Sequence, residues 1–583
     1  MSISGGEILL EVFKSQGIEY IFCSPGSEHF PIWESLARRY TEGDRTLKYI
    51  NCRHEVLAVS MALAYAQTTG RLPAVLLHAG VGPLNAAMAI RIAHRASVPM
   101  IICCGDTADY GEGEDDKGDC WKWVGALAET GGTDALVKTY VKWSNEVKSK
   151  ENLAGYVYQA CAIAQSYPKG PALVTIPWEY LFRTQPETII RPPSHKAVLP
   201  DPQPQDLEEV ANLLISSKQP IILTEHAGMQ PDAVPKLVEL AELLGIPVFE
   251  SIYPRFANFP REHPLHMGYD ASKALQEADA IFVVGGITPW QPASAFPKKG
   301  AKAILLDEDT QKDRLPYWGY QFDLSITADI SRWLSALLDT VRSRVGQFAR
   351  SDSPCRKRGE QWQVKHEQLM ENWKAEALSR KDSQPISPRW LLYKANEILP
   401  TNSYILTETA THSTLVQRYM ASPNGFFKVI SGGLGMGLGE AVGVKLALPD
   451  RPVVFIAGDG SFIYNPVLAG LGLCQEYHLP IFIIILNNGV YASMRSIHEK
   501  YYPKGWSASG NMYIGVDLAP VTDYAKMAEA FDAYGERVKG PNEIEPAMKR
   551  ALQQMAKGRS VILDVMLDPL DTGGYASIGT RRE

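Results

Sequence analysis

Asp459 stands between Gly458 and Gly460 in the run RPVVFIAGDGSFIYNPVLAGLGLCQEYHLPIFIIILNNG (451–489), and the pair Asn487–Asn488 closes the same run. A carboxylate and an amide oxygen, joined by a backbone carbonyl, suit a hard cation such as Mg²⁺, which takes its other ligands from phosphate and water. Gly458 and Gly460 would let the backbone approach those phosphates closely. Either turn alone is ordinary Gly/Asn turn chemistry, whereas the two together in one unit point to a cation and phosphate site. Glu55, in Asn51-Cys-Arg-His-Glu55, opens a helical stretch. A carboxyl there is either a first-turn acid favoured by the helix dipole or, in a dry site, a proton shuttle. Ser27, in Phe22-Cys-Ser-Pro-Gly-Ser27, and His78, in Leu77-His78-Ala-Gly, each follow a strand-like run. They read either as a capping serine and a turn histidine or as a hydroxyl and an imidazole at one sheet edge.

The elements that must hold these residues are buried strands. Val453 to Ala457 reads as a strand, Phe462 to Tyr477 as a helix and Ile481 to Leu486 as a second parallel strand, so Asp459 and Asn488 lie just past neighbouring strand ends. Short apolar runs recur between helix-length segments along the whole chain, the pattern of parallel sheets covered on both faces. The fold class is therefore α/β, with three doubly wound parallel-sheet domains expected at 1–185, 200–343 and 385–583. A proline-rich stretch from Arg191 to Pro204 marks the first boundary, and the polar segment 343–383 reads as a surface helix joining the second domain to the third.

A net charge of −7 over 583 residues, with 45% hydrophobic and 21% charged residues, is an ordinary globular composition. It disfavours disorder and a nucleic-acid surface. The longest apolar runs fall short of the roughly 20 residues that cross a bilayer, so no membrane role is expected. The N-terminus carries Glu7 and Glu11 where a secretory leader would be basic. The eight cysteines show no Cys-x-x-Cys spacing, and a reducing cytoplasm is expected.

With Gly-Asp459-Gly, 26 intervening residues (461–486) and Asn487–Asn488, the chain resembles the thiamin-diphosphate-dependent decarboxylase and carboligase superfamily of pyruvate decarboxylase, acetolactate synthase and benzoylformate decarboxylase. The resemblance implies a pyrimidine-binding, a central and a diphosphate-binding domain, with thiamin diphosphate and Mg²⁺ as cofactors. It implies that Asp459, Asn488 and the Val490 carbonyl are the metal ligands, with Gly458, Gly460 and Ser461 beside the diphosphate. Arg53-His54-Glu55 resembles the family's RHE segment, whose glutamate hydrogen-bonds N1′ of the aminopyrimidine. Ser431-Gly-Gly-Leu434-Gly resembles its GGLG loop, which makes Leu434 the wedge under the bent cofactor and the Gly432 carbonyl the acceptor for its amino group. The segment Thr407–Ser413, with Thr409, Thr411 and His412, would offer donors to the diphosphate. Ser27 and His78 match the serine and histidine that contact substrate in the benzoylformate decarboxylase branch.

The departures bear on the substrate. Glu112-Gly-Glu-Asp-Asp116 stands where pyruvate decarboxylases carry a paired histidine, Gly285–Gln291 shows no counterpart of the benzoylformate decarboxylase central histidine, and the GTMGFG and Gln-rich loops of acetolactate synthase are missing. The expected activity is decarboxylation or carboligation of a 2-oxo acid. The alternatives are a 2-hydroxyacyl-CoA lyase producing or using formyl-CoA, with a nucleotide in the central domain, and an acetolactate-synthase-like transferase. A flavin-dependent oxidase and a catalytically idle regulatory descendant are weaker readings, the latter because Glu55 is retained. A homodimer or homotetramer with sites at the subunit interface, acting on a small molecule, is expected.

Overall fold

The computed structural model describes residues 2–107, 131–186, 198–251, 254–291, 295–345, 354–420, 426–428 and 433–572. The chain forms two compact units, one of Met1–Val198, Ile430–Asp450 and Ile463–Leu479, the other of Leu199–Val429, Arg451–Phe462 and Pro480–Glu583.

The first unit is built on a six-stranded parallel sheet of order β3-β2-β4-β5-β7-β6. Its strands are β2 (Tyr20–Cys23), β3 (Lys48–Asn51), β4 (Ala74–Leu77), β5 (Met100–Asp106), β6 (Trp143–Glu146) and β7 (Pro171–Pro177). β4, β5 and β7 are nearly continuous Val, Ile, Leu, Cys and Ala, as strands buried on both faces must be. From β2 the chain pairs β3 on one side and β4 on the other, so the order reverses between β2 and β4. The loops after those two strands, which carry Ser27 and His78, meet at that reversal, where open sheets take up ligands. A short antiparallel pair, β1 (Ser2–Ser4) with β8 (Thr184–Pro186), joins the two ends of this segment.

The helix Glu55–Thr69 of this unit is apolar all round and almost wholly buried. Gly437–Ala447 is its partner, and the glycines of the run GMGLGEAVG explain the approach. A Cβ on Gly439 would lie 1.9 Å from Ser60 Oγ, and one on Gly443 would lie 2.5 Å from the Met61 carbonyl. Part of the glycine-rich run is therefore helix packing rather than ligand loop.

The second unit holds two parallel sheets. The central one has the order β10-β9-β11-β12-β13, from β9 (Pro220–Thr224), β10 (Val248–Glu250), β11 (Ala280–Val284), β12 (Lys302–Asp307) and β13 (Leu324–Thr327). The other has the order β15-β14-β16-β17-β19-β18, from β14 (Tyr404–Glu408), β15 (Phe426–Lys428), β16 (Val453–Gly458), β17 (Phe482–Asn487), β18 (Tyr534–Val538) and β19 (Val561–Met566). β16 and β17 are neighbours in register Gly458↔Leu486, as one βαβ unit requires. The crossover differs from the single helix expected over 462–477. It is two helices, Asp459–Phe462 of this unit and Val467–Glu476 of the first, divided at Asn465–Pro466. Pro466 has no N–H to continue the first helix, and Asn465 Oδ1 instead accepts from the Leu438 N–H at 2.9 Å. The polar stretch after the central sheet contains the helix Pro354–Leu378, mostly exposed but burying His366, Trp373 and Ala377.

Candidate active site

In the second unit, β16 delivers Asp459 and β17 delivers Asn487 and Asn488 to one edge. Asp459 is 3% exposed. Its Oδ1 accepts from the Gly460 N–H at 2.9 Å and its Oδ2 from the Gly489 N–H at 2.8 Å. The Asn488 amide lies 2.9 Å from the Val490 carbonyl and 3.3 Å from Asp459 Oδ1. Turned one way, its NH₂ serves both acceptors. Turned the other way, the amide oxygen faces the Val490 carbonyl and Asp459 Oδ1, a placement that a cation between them would favour. Those separations fit the edges of an octahedron with bonds of about 2.1 Å, whose ligand–ligand edge is about 3.0 Å. Among the described residues no group of three or more His, Cys, Asp or Glu is placed to hold a metal, so a cation here depends on amide and carbonyl oxygens.

Burial pushes the Asp459 carboxyl up to about 6, against the pull of the Gly460 and Gly489 N–H groups. A bound cation would offset that desolvation and keep the group ionised. Asn487 has a separate task, donating to Asp564 Oδ1 at 2.8 Å and to the Thr522 carbonyl at 3.2 Å. Asp564 is fully buried on β19 and anchors this strand end from behind. Gly458 has room on its Cα, where a Cβ would meet nothing nearer than Ser461 Oγ at 3.7 Å. Gly460 differs: a Cβ there would strike the Tyr491 ring at 2.7 Å, so its glycine is explained by packing. In the turn after β14, Thr409, Thr411 and His412 are buried. His412 Nε2 lies 2.9 Å from the Asp571 carbonyl, and burial lowers the imidazole's basicity.

In the first unit, Glu55 is the first residue of its helix, after the His54 N-cap. Its Oε1 accepts from Ser24 Oγ at 3.0 Å, and its Oε2 accepts from the Asn85 side-chain amide. Ser24 belongs to the loop after β2 and Asn85 to the helix after β4, so the switch-point loops hold the carboxylate. Ser27 is exposed at the start of the turn Ser27–His29. Sequence reasoning missed its neighbour. Glu28 is 2% exposed. Its carboxylate faces His78 Nδ1 at 2.8 and 2.6 Å and accepts from the Ala79 N–H at 2.7 Å. Two glycines make room for it: a Cβ on Gly26 would lie 2.5 Å from both His78 Nδ1 and Glu28 Oε2, and one on Gly105 would lie 2.3 Å from Glu28 Cγ. Burial works to raise the Glu28 carboxyl, but the His78 hydrogen bond and the charges of His29 and His78 outweigh it and hold the group at about 2. An ionised Glu28 fixes the His78 proton on Nδ1 and aims the ring. In sequence it is only the acid of Gly26-Ser27-Glu28-His29, with no mark of its burial.

Leu434 is half-buried in the first unit, beside Gly435, whose φ of +96 places it in the left-handed region. Gly432 and the segment Glu112–Asp116 lie outside the described residues.

Three family models match the chain in order. Residues 3–126 match the thiamine pyrophosphate enzyme N-terminal TPP binding domain, 207–337 the central domain and 408–565 the C-terminal TPP binding domain. Acetolactate synthase isozyme 3 large subunit of Escherichia coli is 25% identical, over 97% of this chain and 95% of its own. Benzoylformate decarboxylase of Pseudomonas aeruginosa is 26% identical, over 95% of this chain and 97% of its own. Among solved structures, the Rhodococcus jostii 4-hydroxybenzoylformate decarboxylase superposes with a TM-score of 0.77 at 23% identity, over 97% of this chain and 99% of that one. The last likeness concerns the fold.

Proposed function

Because the chain belongs to the thiamine pyrophosphate enzyme family, we propose that it makes or breaks a carbon–carbon bond next to a carbonyl, with a 2-oxo acid as substrate and Mg²⁺ as its cation. The observation that carries this reading is the Glu28–His78 pair beside the exposed Ser27, on the same sheet edge as Glu55.

Bound thiamin diphosphate supplies a nucleophilic carbon and an electron sink. Asp459, Asn488 and the Val490 carbonyl would hold Mg²⁺ on the diphosphate, with Gly458, Gly460, Ser461, Thr409, Thr411 and His412 around it. Leu434 and Gly432 are assigned to the wedge and the accepting carbonyl by their loop motif. Glu55, braced by Ser24 and Asn85, would hold a proton at its carboxyl and exchange it with the pyrimidine ring nitrogen. The Ser27 hydroxyl would donate to the substrate carboxylate. His78, with Nδ1–H committed to Glu28, would give and take a proton at Nε2. We place the pyrimidine-binding, central and diphosphate-binding domains at 1–185, 200–343 and 385–583, and the active unit as a homodimer or homotetramer with sites at the subunit interface. A cytoplasmic location belongs to the same reading, supported by seven described cysteines that are all free thiols.

A transferase of the acetolactate synthase type is the second reading, supported by the E. coli relative at nearly the same identity as the decarboxylase. The test is product analysis by proton NMR after the holoenzyme has been incubated with a panel of 2-oxo acids, aliphatic and aromatic. Aldehyde formed with loss of CO₂ is the expected result, and a 2-hydroxy-2-methyl acid from pyruvate alone selects the second reading. If no 2-oxo acid is consumed while a 2-hydroxyacyl-CoA is cleaved, the proposal fails.

A further inference from the structure

In the central sheet β9 pairs with β10 on one side and β11 on the other, so its ligand crevice lies between the loops that follow β9 and β11. The loop after β11 is Gly285-Gly286-Ile287-Thr288, a glycine-led turn whose Gly286, Ile287 and Thr288 N–H groups point to buried carboxylates. Such a turn is what the phosphate of a nucleotide needs. Here those N–H groups already have acceptors. Ile287 and Thr288 both donate to Glu225 Oε2 at 2.8 Å, and Gly286 donates to Asp307 Oδ2 at 3.0 Å. Glu225 is the first residue past β9 and Asp307 the last of β12, at 6% and 2% exposure.

Asp307 has its own cation as well. Asp307 Oδ2 lies 2.9 Å from Lys312 Nζ and 3.2 Å from His226 Nε2, both buried. The backbone tightens the same closure, since the Glu225 N–H donates to the Gly285 carbonyl at 2.8 Å. The opening beside the loop, bordered by Thr224, Glu250, Thr288 and Trp290, measures about 90 Å³. Ligand sites span roughly 300–1,000 Å³, several times that space.

We propose that Glu225 is an internal ligand that closes the anion site of the central domain, so that the domain takes no nucleotide and becomes an anion site only when that carboxylate is removed. The inference is independent of which 2-oxo acid is used. It removes the anchoring amides that an ADP, a flavin dinucleotide or a coenzyme A would require in this crevice.

The experiment uses holoenzyme saturated with thiamin diphosphate and Mg²⁺, so that the cofactor's own phosphate site is filled. Calorimetric titration of the wild type with ADP, FAD and coenzyme A, to about ten times a ~100 µM Kd, is expected to show no saturable binding. Glu225→Ala should melt lower than wild type and recover with sodium acetate but not with sodium chloride of equal ionic strength. With ~100 mM acetate and a Kd of ~10 mM the folded state gains a factor of about 11, a rise of roughly 1 °C for a chain of 583 residues. Glu225→Gln, whose amide oxygen can still accept both N–H groups, should show no acetate response. Saturable binding of any of the three nucleotides to wild type overturns the proposal, as does a Glu225→Ala protein that melts like wild type and ignores acetate. If Glu225→Ala does not fold, the wild-type titration and an acetate response in Glu225→Gln remain able to refute it.

Discussion

Glu28→Gln keeps the volume of a buried side chain while removing its charge, which isolates what the carboxylate does for His78. The Glu28 carboxyl is held at about 2 against an ordinary 4.5 although burial opposes it, so its ionised form is favoured by ~3 kcal/mol. Part of that preference is the attraction to a protonated His78. The 41% exposure of the His78 side chain screens that attraction. In the variant the amide oxygen keeps the Ala79 N–H, so the NH₂ must face His78 Nδ1. The ring then accepts at Nδ1 and carries its neutral-form proton on Nε2, the reverse of the wild type. The pH profile of kcat should shift its basic limb down, with kcat at pH 7 reduced ~10-fold and KM within about twofold. Nitrogen-15 NMR of the histidine rings should report the exchanged tautomer directly. Because the folded carboxyl is depressed, its stabilisation is complete above pH 4.5 and is lost as pH falls towards about 2, a loss the variant should lack. An unmoved basic limb with kcat within twofold of wild type, or an unchanged tautomer, would refute the reasoning.

Asp459→Ala should leave the melting profile of the apoprotein nearly intact but weaken Mg²⁺-linked thiamin diphosphate binding ~100-fold or more, read by calorimetry, because the carboxylate is the anionic member of the Asp459, Asn488 and Val490 oxygen set. Unchanged affinity in the presence of Mg²⁺ would contradict the assignment. Ser27→Ala should mainly raise KM and His78→Ala mainly lower kcat, with cofactor affinity unaffected, and steady-state kinetics on both variants would expose a merely structural role if neither constant moves more than about twofold. Gly439→Ala places a methyl against Ser60 and should destabilise the protein by ~1–3 kcal/mol in urea unfolding, with Ser60→Gly partly restoring it. Additive losses in the double variant would show that the two helices do not meet there.

Asp459 and Asn488 were legible because each sits within two residues of a buried strand end, and strand periodicity alone carries both to one sheet edge. Glu55 was legible as the first acid of a helix whose apolar run is unmistakable. Glu28 was not, although it adjoins Ser27, because its role arises only when a loop 50 residues away brings His78 against it and two glycines far apart in sequence clear the space. Glu225 escaped for a similar reason: read along the chain it is the polar end of PIILTE, and its partners are main-chain N–H groups that leave no sequence mark. The divided crossover helix was missed because Pro466 lay inside an otherwise continuous helical pattern. Asn487, equivalent to Asn488 by composition, is separated from it only by the strand's alternation, which turns one side chain to Asp564 and the next to the Val490 carbonyl.

The most direct test of the account is the rate of hydrogen–deuterium exchange at C2 of thiamin diphosphate bound to the wild type and to Glu55→Gln, followed by rapid acid quench and NMR. The Ser24 and Asn85 bonds hold the Glu55 carboxylate, which in the proposed reading would exchange a proton with the pyrimidine ring nitrogen, and the amide of the variant keeps those bonds in part while losing that proton. Cofactor affinity is expected within a few-fold of wild type and exchange slower by ~10²–10⁴-fold, the usual contribution of a positioned proton-transfer group. Exchange at the wild-type rate in a fully loaded Glu55→Gln protein would contradict it.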